Sequence, residues 1–207
     1  MIDFYTWKTP NGQKIAIMLE ESGLAYKTHF VDISKQEQFR PEFLKINPNN
    51  KIPAIVDHDG PRHHALNLFE SGAILIYLAE KTGKLLSLDP RCRILTIQWL
   101  MFQMSGIGPM LGQLHHFLHY AAERIPYAVE RYTNEAKRLY RVMDEHLENE
   151  PFFAADYSIA DIAIFPWVNL HERQRIDLDD YPNLKAWHRR IAKRPAVIKG
   201  LALTENL

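Results

Sequence analysis

Strand and helix signals alternate over the first 82 residues, and after Leu85 the strand signals stop. A chain patterned this way builds a small α/β layer first and an all-helical region behind it. Residues 2–5 are a short strand candidate, and Thr9-Pro10-Asn11-Gly12 is a turn cluster. From Gln13, the residues Ile15, Met18 and Leu19 fall on one helical face, and Gly23 is a natural stop. Residues 26–33, rich in β-branched and aromatic side chains, read as a second strand. That strand-helix-strand unit predicts parallel strands with a right-handed crossover. A short helix over 41–46, strands over 54–56 and 64–68, and an amphipathic helix over 71–82 with Gly83 behind it complete a four-stranded layer.

In the second part, residues 91–103 carry Ile94, Ile97, Leu100 and Met101 at helical spacing. Gly106, Gly108, Pro109 and Gly112 are expected to interrupt or bend that helix. A long helical stretch covers 126–149. Ser158-Ile159-Ala160-Asp161 reads as a capping box ahead of the apolar run 162–170, and 182–193 is the last clear helix. The expected division is a first domain over 1–83, a linker over 84–89 and an all-α domain over 90–207.

Composition narrows the class of protein. At 46% hydrophobic and 24% charged, the 207 residues can bury a sizeable core. Lys+Arg and Asp+Glu balance at 25 each, which argues against a dedicated nucleic-acid or anionic-membrane surface. The lone cysteine, Cys92, has no partner for an internal disulfide and lies in no CxxC motif, as fits a reducing cytosol. The N-terminus reads as a strand rather than a leader, and the longest apolar run, 73–79, is too short to span a bilayer. The expectation is a cytoplasmic protein.

Two short signatures about twenty residues apart carry the chemistry: Asn50-Lys51-Ile52-Pro53-Ala54-Ile55-Val56 and Phe69-Glu70-Ser71-Gly72-Ala73-Ile74. Pro53 reads either as a loop proline opening a strand or as a cis-proline. The second reading leaves the Ile52 backbone groups facing a ligand, where an extended peptide pairs as an added strand. Ser71 reads as a plain N-cap or as a hydroxyl and N–H holding a ligand carboxylate at a helix start, with Glu70 receiving an ammonium. Turn chemistry accounts for Thr9 and Asn11, yet the same residues put a hydroxyl and an amide at the first helix's N-terminus, where a thiolate is stabilised. His115, His116 and His119 have partly metal-like spacing, but no Glu follows His115 and the zincin pattern fails, so no metal is expected. Arginines beside Cys92 favour a thiolate there, against the blander reading of an inert structural thiol.

Taken in order, Asn50-Lys51-Ile52-Pro53-Ala54, Glu70-Ser71 and Ser158-x-x-Asp161 resemble the signatures of the cytosolic glutathione transferases over essentially the whole chain. Within that family, Thr9-Pro10-Asn11-Gly12, residues 38–43, residues 108–113 and residues 125–132 look most like the bacterial nu-class group of glutathione-dependent disulfide-bond reductases. The resemblance implies a thioredoxin-like N-terminal domain with a four-stranded mixed sheet, an all-α C-terminal helical bundle, a homodimer and a cis Pro53. It implies that Ile52 pairs with the cysteinyl backbone of glutathione, that Glu70 and Ser71 bind the γ-glutamyl end, and that Gln38, Arg40 and Lys51 contact its backbone or glycyl carboxylate. Thr9 and Asn11 would lie near the sulfur, and Arg131 would close the pocket. The sequence departs from many members in placing no Tyr, Ser or Cys where the sulfur is expected: Tyr5 lies too early on the first strand. The function implied is glutathione-dependent reduction of small disulfides without a protein thiol. The alternatives are conjugation to electrophiles or reduction of organic peroxides, with residues 99–120 lining the second-substrate site, or a non-catalytic interaction module on the same fold.

Overall fold

β1 (Ile2–Thr6) of the computed structural model, which describes residues 1–205, buries Ile2, Phe4 and Thr6 and turns Asp3 and Tyr5 to the other face. This is the period-two alternation of a pleated strand. α1 (Pro10–Ser22) carries the chain over to β2 (Tyr26–Phe30), parallel to β1 from Ile2↔Tyr26 to Thr6↔Phe30. A four-residue helix, α2 (Pro41–Leu44), precedes β3 (Ala54–Asp57), which is antiparallel to β1. β4 (Leu66–Phe69) is antiparallel to β3, giving a mixed sheet in the order β2-β1-β3-β4. α3 (Ser71–Thr82) packs on α1, and the two helices stop at left-handed Gly23 and Gly83.

Two strand boundaries differ from expectation by more than one residue. β2 ends at Phe30 rather than residue 33: the Val31 N–H still donates to the Thr6 carbonyl at 2.9 Å, but Asp32 then accepts from the Ser34 N–H and starts a 3-10 turn. β4 starts at Leu66 rather than residue 64, because the Gly60 N–H donates to the His64 carbonyl at 3.0 Å and holds 61–64 in a turn.

The chain divides into two compact units, one comprising Met1–Lys84 with the C-terminal segment from Arg194, the other Leu85–Lys193. In the second, α4 (Pro90–Phe102), a π turn over 103–107, α5 (Gly108–His115) and a second π turn over 116–120 form one continuous helical run. Where the glycines are expected to interrupt or bend the helix, the run continues through the π turn over 103–107. A Cβ on Gly108 would stand 2.9 Å from Gln103 Nε2 and 3.7 Å from Trp167 Nε1, so its bare backbone serves packing. By length and composition the run Pro90–Tyr120 could cross a membrane, which the sequence reading did not register. Its buried positions, among them Thr96, Leu100, Ile107, Leu111 and Leu114, recur at helical spacing, and the run packs on α6 (Pro126–His146) and α7 (Ile159–Val168), the arrangement of a core helix. α8 (Pro182–Ala192) completes this unit.

The last helix, α9 (Pro195–Glu205), corrects the expected all-α domain over 90–207, because it belongs to the sheet-bearing unit. α9 lies on α1 so closely that a Cβ on Gly200 would meet the Ile17 N and Cα at 2.7 and 2.8 Å. Arg194 adds a two-pronged pair to Glu21, at 2.7 and 3.0 Å.

Candidate functional site

Strand register brings the candidate residues to one end of the sheet. Tyr5 pairs with Ala54 and Ala54 with Phe69. The end of β1, the start of β3 and the end of β4 therefore lie side by side. Thr9 follows the first of these, Pro53 precedes the second, and Glu70 follows the third. Thr6 pairs with Phe30, so the segment carrying Gln38 and Arg40 leaves β2 at the same end.

Thr9 is the N-cap of α1, and its Oγ1 accepts from the Gly12 N–H at 3.2 Å. Pro10 is the first helical residue, so the helix starts three residues before the expected Gln13 and Asn11 sits in its first turn. The hydroxyl accepts one hydrogen bond as a cap and keeps its own proton to donate.

The Ile52–Pro53 peptide is cis. The loop before it is braced by Asn47, which is buried. Its Nδ2 donates to the Lys51 carbonyl at 2.6 Å, its Oδ1 accepts from the Asn49 N–H at 2.9 Å, and its carbonyl accepts from the Asn50 N–H. Lys51 is exposed and Ile52 half-buried, directly ahead of β3.

Glu70, not Ser71, is the N-cap of α3, and it makes no side-chain cap bond. Its backbone sits at φ 69°, ψ 111°, a conformation that costs a non-glycine residue about 1–3 kcal/mol and that clusters at ligand sites. The strain leaves the Glu70 side chain exposed at the helix start. Ser71 is buried, and its Oγ receives the Lys14 ammonium at 3.2 Å. The first intrahelical bond runs from the Ile74 N–H to the Glu70 carbonyl, so the Gly72 and Ala73 N–H groups lie outside the helix ladder, in an anion-favouring first turn. Lys14 is 1% exposed. Burial lowers its pKa to about 7, against the opposing pull of Glu70.

Gln38 Oε1 is buried with no hydrogen-bond partner among the described residues, the state of an acceptor awaiting a donor. Arg40 pairs with Glu37 at 2.8 Å and lines a cavity of about 240 Å³ with Tyr5, His29, Phe43 and Ile46. Tyr5 stacks on His29 there, and burial raises its pKa. Arg131 lies in the other unit, on α6, and lines a cavity of about 730 Å³ with Met110, Tyr127, Glu130 and Tyr132.

Cys92 is also in that second unit, in the first turn of α4. The Asp89 carboxylate, hydrogen-bonded to it, raises the thiol pKa, which overrides the arginines and disfavours the thiolate. His115 is buried beside Trp167, where burial lowers its pKa to about 4, and His119 bonds to the Arg173 carbonyl at 2.8 Å. Among the described residues no group of three or more His, Cys, Asp and Glu could hold a metal ion.

Sequence reasoning missed Lys14 and Asn47. Asn47 gave a weak signal, an Asn-Pro turn ahead of the Ile52–Pro53 signature. Lys14 gave a sharper one: it stands four residues before Met18, on the apolar face of its helix.

Residues 2–80 match the family model for the glutathione S-transferase N-terminal domain, and residues 110–195 that for the C-terminal domain. Disulfide-bond oxidoreductase YfcG of Escherichia coli is 58% identical over 205 residues, which cover 97% of this chain and 94% of the relative. A glutathione transferase from Pseudomonas putida, solved with one glutathione disulfide bound per subunit, is 50% identical with a TM-score of 0.93, over 97% of this chain and 90% of the other. A glutathione transferase family member from Pseudomonas fluorescens, solved with two glutathione bound, is 49% identical with a TM-score of 0.91, over 97% and 92%.

Proposed function

Since the chain belongs to the glutathione S-transferase family, we propose that it reduces small disulfides with glutathione, as the name of its E. coli relative indicates for that protein. The observation that carries this reading is a sheet end that gathers hydrogen-bond donors and a helix start, in a unit whose sequence contains no cysteine.

Glutathione lies extended along the cis Ile52–Pro53 loop, its cysteinyl amide pairing with the Ile52 backbone. Its γ-glutamyl carboxylate meets Ser71 and the first turn of α3, and its ammonium meets Glu70. Gln38 Oε1 accepts a donor from its backbone, and Lys51 and Arg40 serve its glycyl carboxylate. Thr9 and Asn11 hold the sulfur as thiolate. The thiolate attacks one sulfur of the disulfide, forming a mixed disulfide and expelling a substrate thiolate. A second glutathione thiolate then attacks the glutathione sulfur of the mixed disulfide. This releases glutathione disulfide and the second substrate thiolate, and both product thiolates take up protons from solvent. Two electrons pass from two glutathiones to one disulfide, and no protein group is oxidised.

The working form proposed is a cytoplasmic homodimer. Ile94 and Met101 stay exposed on α4, at 62% and 44%, and support self-association. The test of the function is a paired assay, at equal enzyme and glutathione, of a small alkyl disulfide against an aromatic halide. Faster turnover of the disulfide is expected. Turnover of the halide with none of the disulfide overturns the proposal in favour of conjugation.

A further inference from the structure

We propose that Asn47 is a positioning residue for glutathione: by holding the Lys51 carbonyl, it turns the Ile52 N–H toward the ligand's cysteinyl backbone. The proposal rests on the glutathione reading of the site and adds to it the group that aims the Ile52 backbone.

One peptide plane carries the inference. The Lys51 carbonyl and the Ile52 N–H belong to the same peptide unit, and that unit is trans; the cis bond is the next one along. In a planar trans peptide the C=O and the N–H point in opposite directions. Asn47 Nδ2 donates to the Lys51 carbonyl at 2.6 Å. The carbonyl is therefore turned in toward Asn47, and the N–H away from it. That N–H has no hydrogen-bond partner among the described residues. Pro53 carries no N–H, and ladder pairing starts only at Ala54. A donor left open at the entrance of a strand is what an added, extended peptide takes up.

Asn47 is itself fixed on several sides. It is 1% exposed. Its N–H donates to the Phe43 carbonyl at the end of α2, at 2.9 Å, and its own carbonyl accepts from the Asn50 N–H at 3.1 Å. Its Oδ1 accepts from the Asn49 N–H at 2.9 Å. Phe43 is buried with Val31 and Ala54, and the Ile52 side chain packs against that cluster. Ile52 is thus held twice, by the core under its side chain and by Asn47 through the peptide before it. The backbone bond from Asn50 already closes the turn, and an aspartate would accept from Asn49 as well as an asparagine does. Only the amide also donates to Lys51. That bond fixes the plane before the ligand arrives, which spares binding the cost of ordering it.

NMR of the full protein, with S-methylglutathione as the probe, reads the Ile52 amide directly. In the wild type, saturation with the probe should slow its exchange with solvent by about tenfold or more. Asn47→Asp keeps the acceptor for Asn49 and loses the donor to Lys51. It should bind the probe about 3–10-fold more weakly by calorimetry, the size of one lost hydrogen bond, and leave the Ile52 amide less protected in the complex. Asn47→Ala should show the same two losses. Urea unfolding of the same variants separates a purely structural part: lowered stability with unchanged affinity and unchanged Ile52 protection overturns the proposal. So does a wild-type complex in which the Ile52 amide exchanges as fast as in the free protein. Failure of the wild type to bind S-methylglutathione at all overturns instead the glutathione reading beneath it. If the substituted proteins do not fold, the wild-type amide alone decides.

Discussion

Thr9 carries two duties with one oxygen. As N-cap it accepts the Gly12 N–H, and its proton remains to meet a thiolate at the start of α1. Thr9→Ala removes both, and should cost about 1 kcal/mol of stability through the lost cap. It should also lower disulfide-reductase kcat/KM by about 10–100-fold, the value of one hydrogen bond to a charged group. Thr9→Ser keeps the hydroxyl and should restore both. Asn11→Ala, in the same first turn, should lower turnover without the capping loss. Thiolate absorbance of bound glutathione followed against pH separates the effects: the thiol pKa should rise in Thr9→Ala and stay near the wild-type value in Thr9→Ser. Unchanged turnover in both alanine variants would remove these two residues from the site. Thr9 is legible in the sequence because cap and turn chemistry is local, written within three or four residues, whereas the cap expected at Ser71 falls one residue earlier, on Glu70. Lys14 and Asn47 are not legible, since their meaning lies in a contact with Ser71, 57 residues away, and in a loop bend no propensity describes.

The helical elements show the same division between local and distant information. The Ser158–Asp161 box is readable because both halves of it lie in one turn: the Asp161 carboxylate accepts from the Ser158 N–H at 3.0 Å, and the Ser158 hydroxyl accepts from the Ala160 N–H at 3.2 Å. The same carboxylate also accepts from the Phe153 N–H and from Trp187 Nε1, at 3.2 and 2.9 Å, joining the preceding loop and α8 to α7. That second duty has no local signature. α9 escaped notice for a related reason: Gly200 lowers its helical signal and is there because Ile17 of α1 leaves no room for a side chain. The glycines after Phe102 misled in the opposite sense, marking room for Gln103 and Trp167 rather than a break. Asp161→Ala therefore strands four buried donors, the Ser158 hydroxyl among them, and should cost about 3–5 kcal/mol in urea unfolding. Ser158→Ala, which removes the cap alone, should cost about 1 kcal/mol. Equal losses in the two variants would mean that Asp161 does no more than cap its helix.

Over the whole molecule, the burial of Lys14 ties stability to pH. The unfolded chain presents an ordinary lysine that protonates near pH 10.4, while the folded chain protonates it near 7. Between those values the unfolded state binds more protons than the folded one, so this group's contribution makes folding more favourable as pH rises. The cost of burying it is full below about pH 6 and fades toward pH 10. Other groups titrate in the same interval, and Tyr26 and Tyr77, whose phenols are held well above their usual range, add opposing slopes above pH 10. Comparison with Lys14→Met removes those common contributions, because methionine fills the same space and does not titrate. The ligand-free variant should be more stable than the wild type at pH 6, and that advantage should shrink by about 3 kcal/mol by pH 10. Denaturant unfolding at half-unit pH steps measures the difference directly. An advantage that stays constant with pH would mean that the buried amine keeps one protonation state throughout, and a variant less stable at pH 6 would mean that its ammonium is already compensated without ligand.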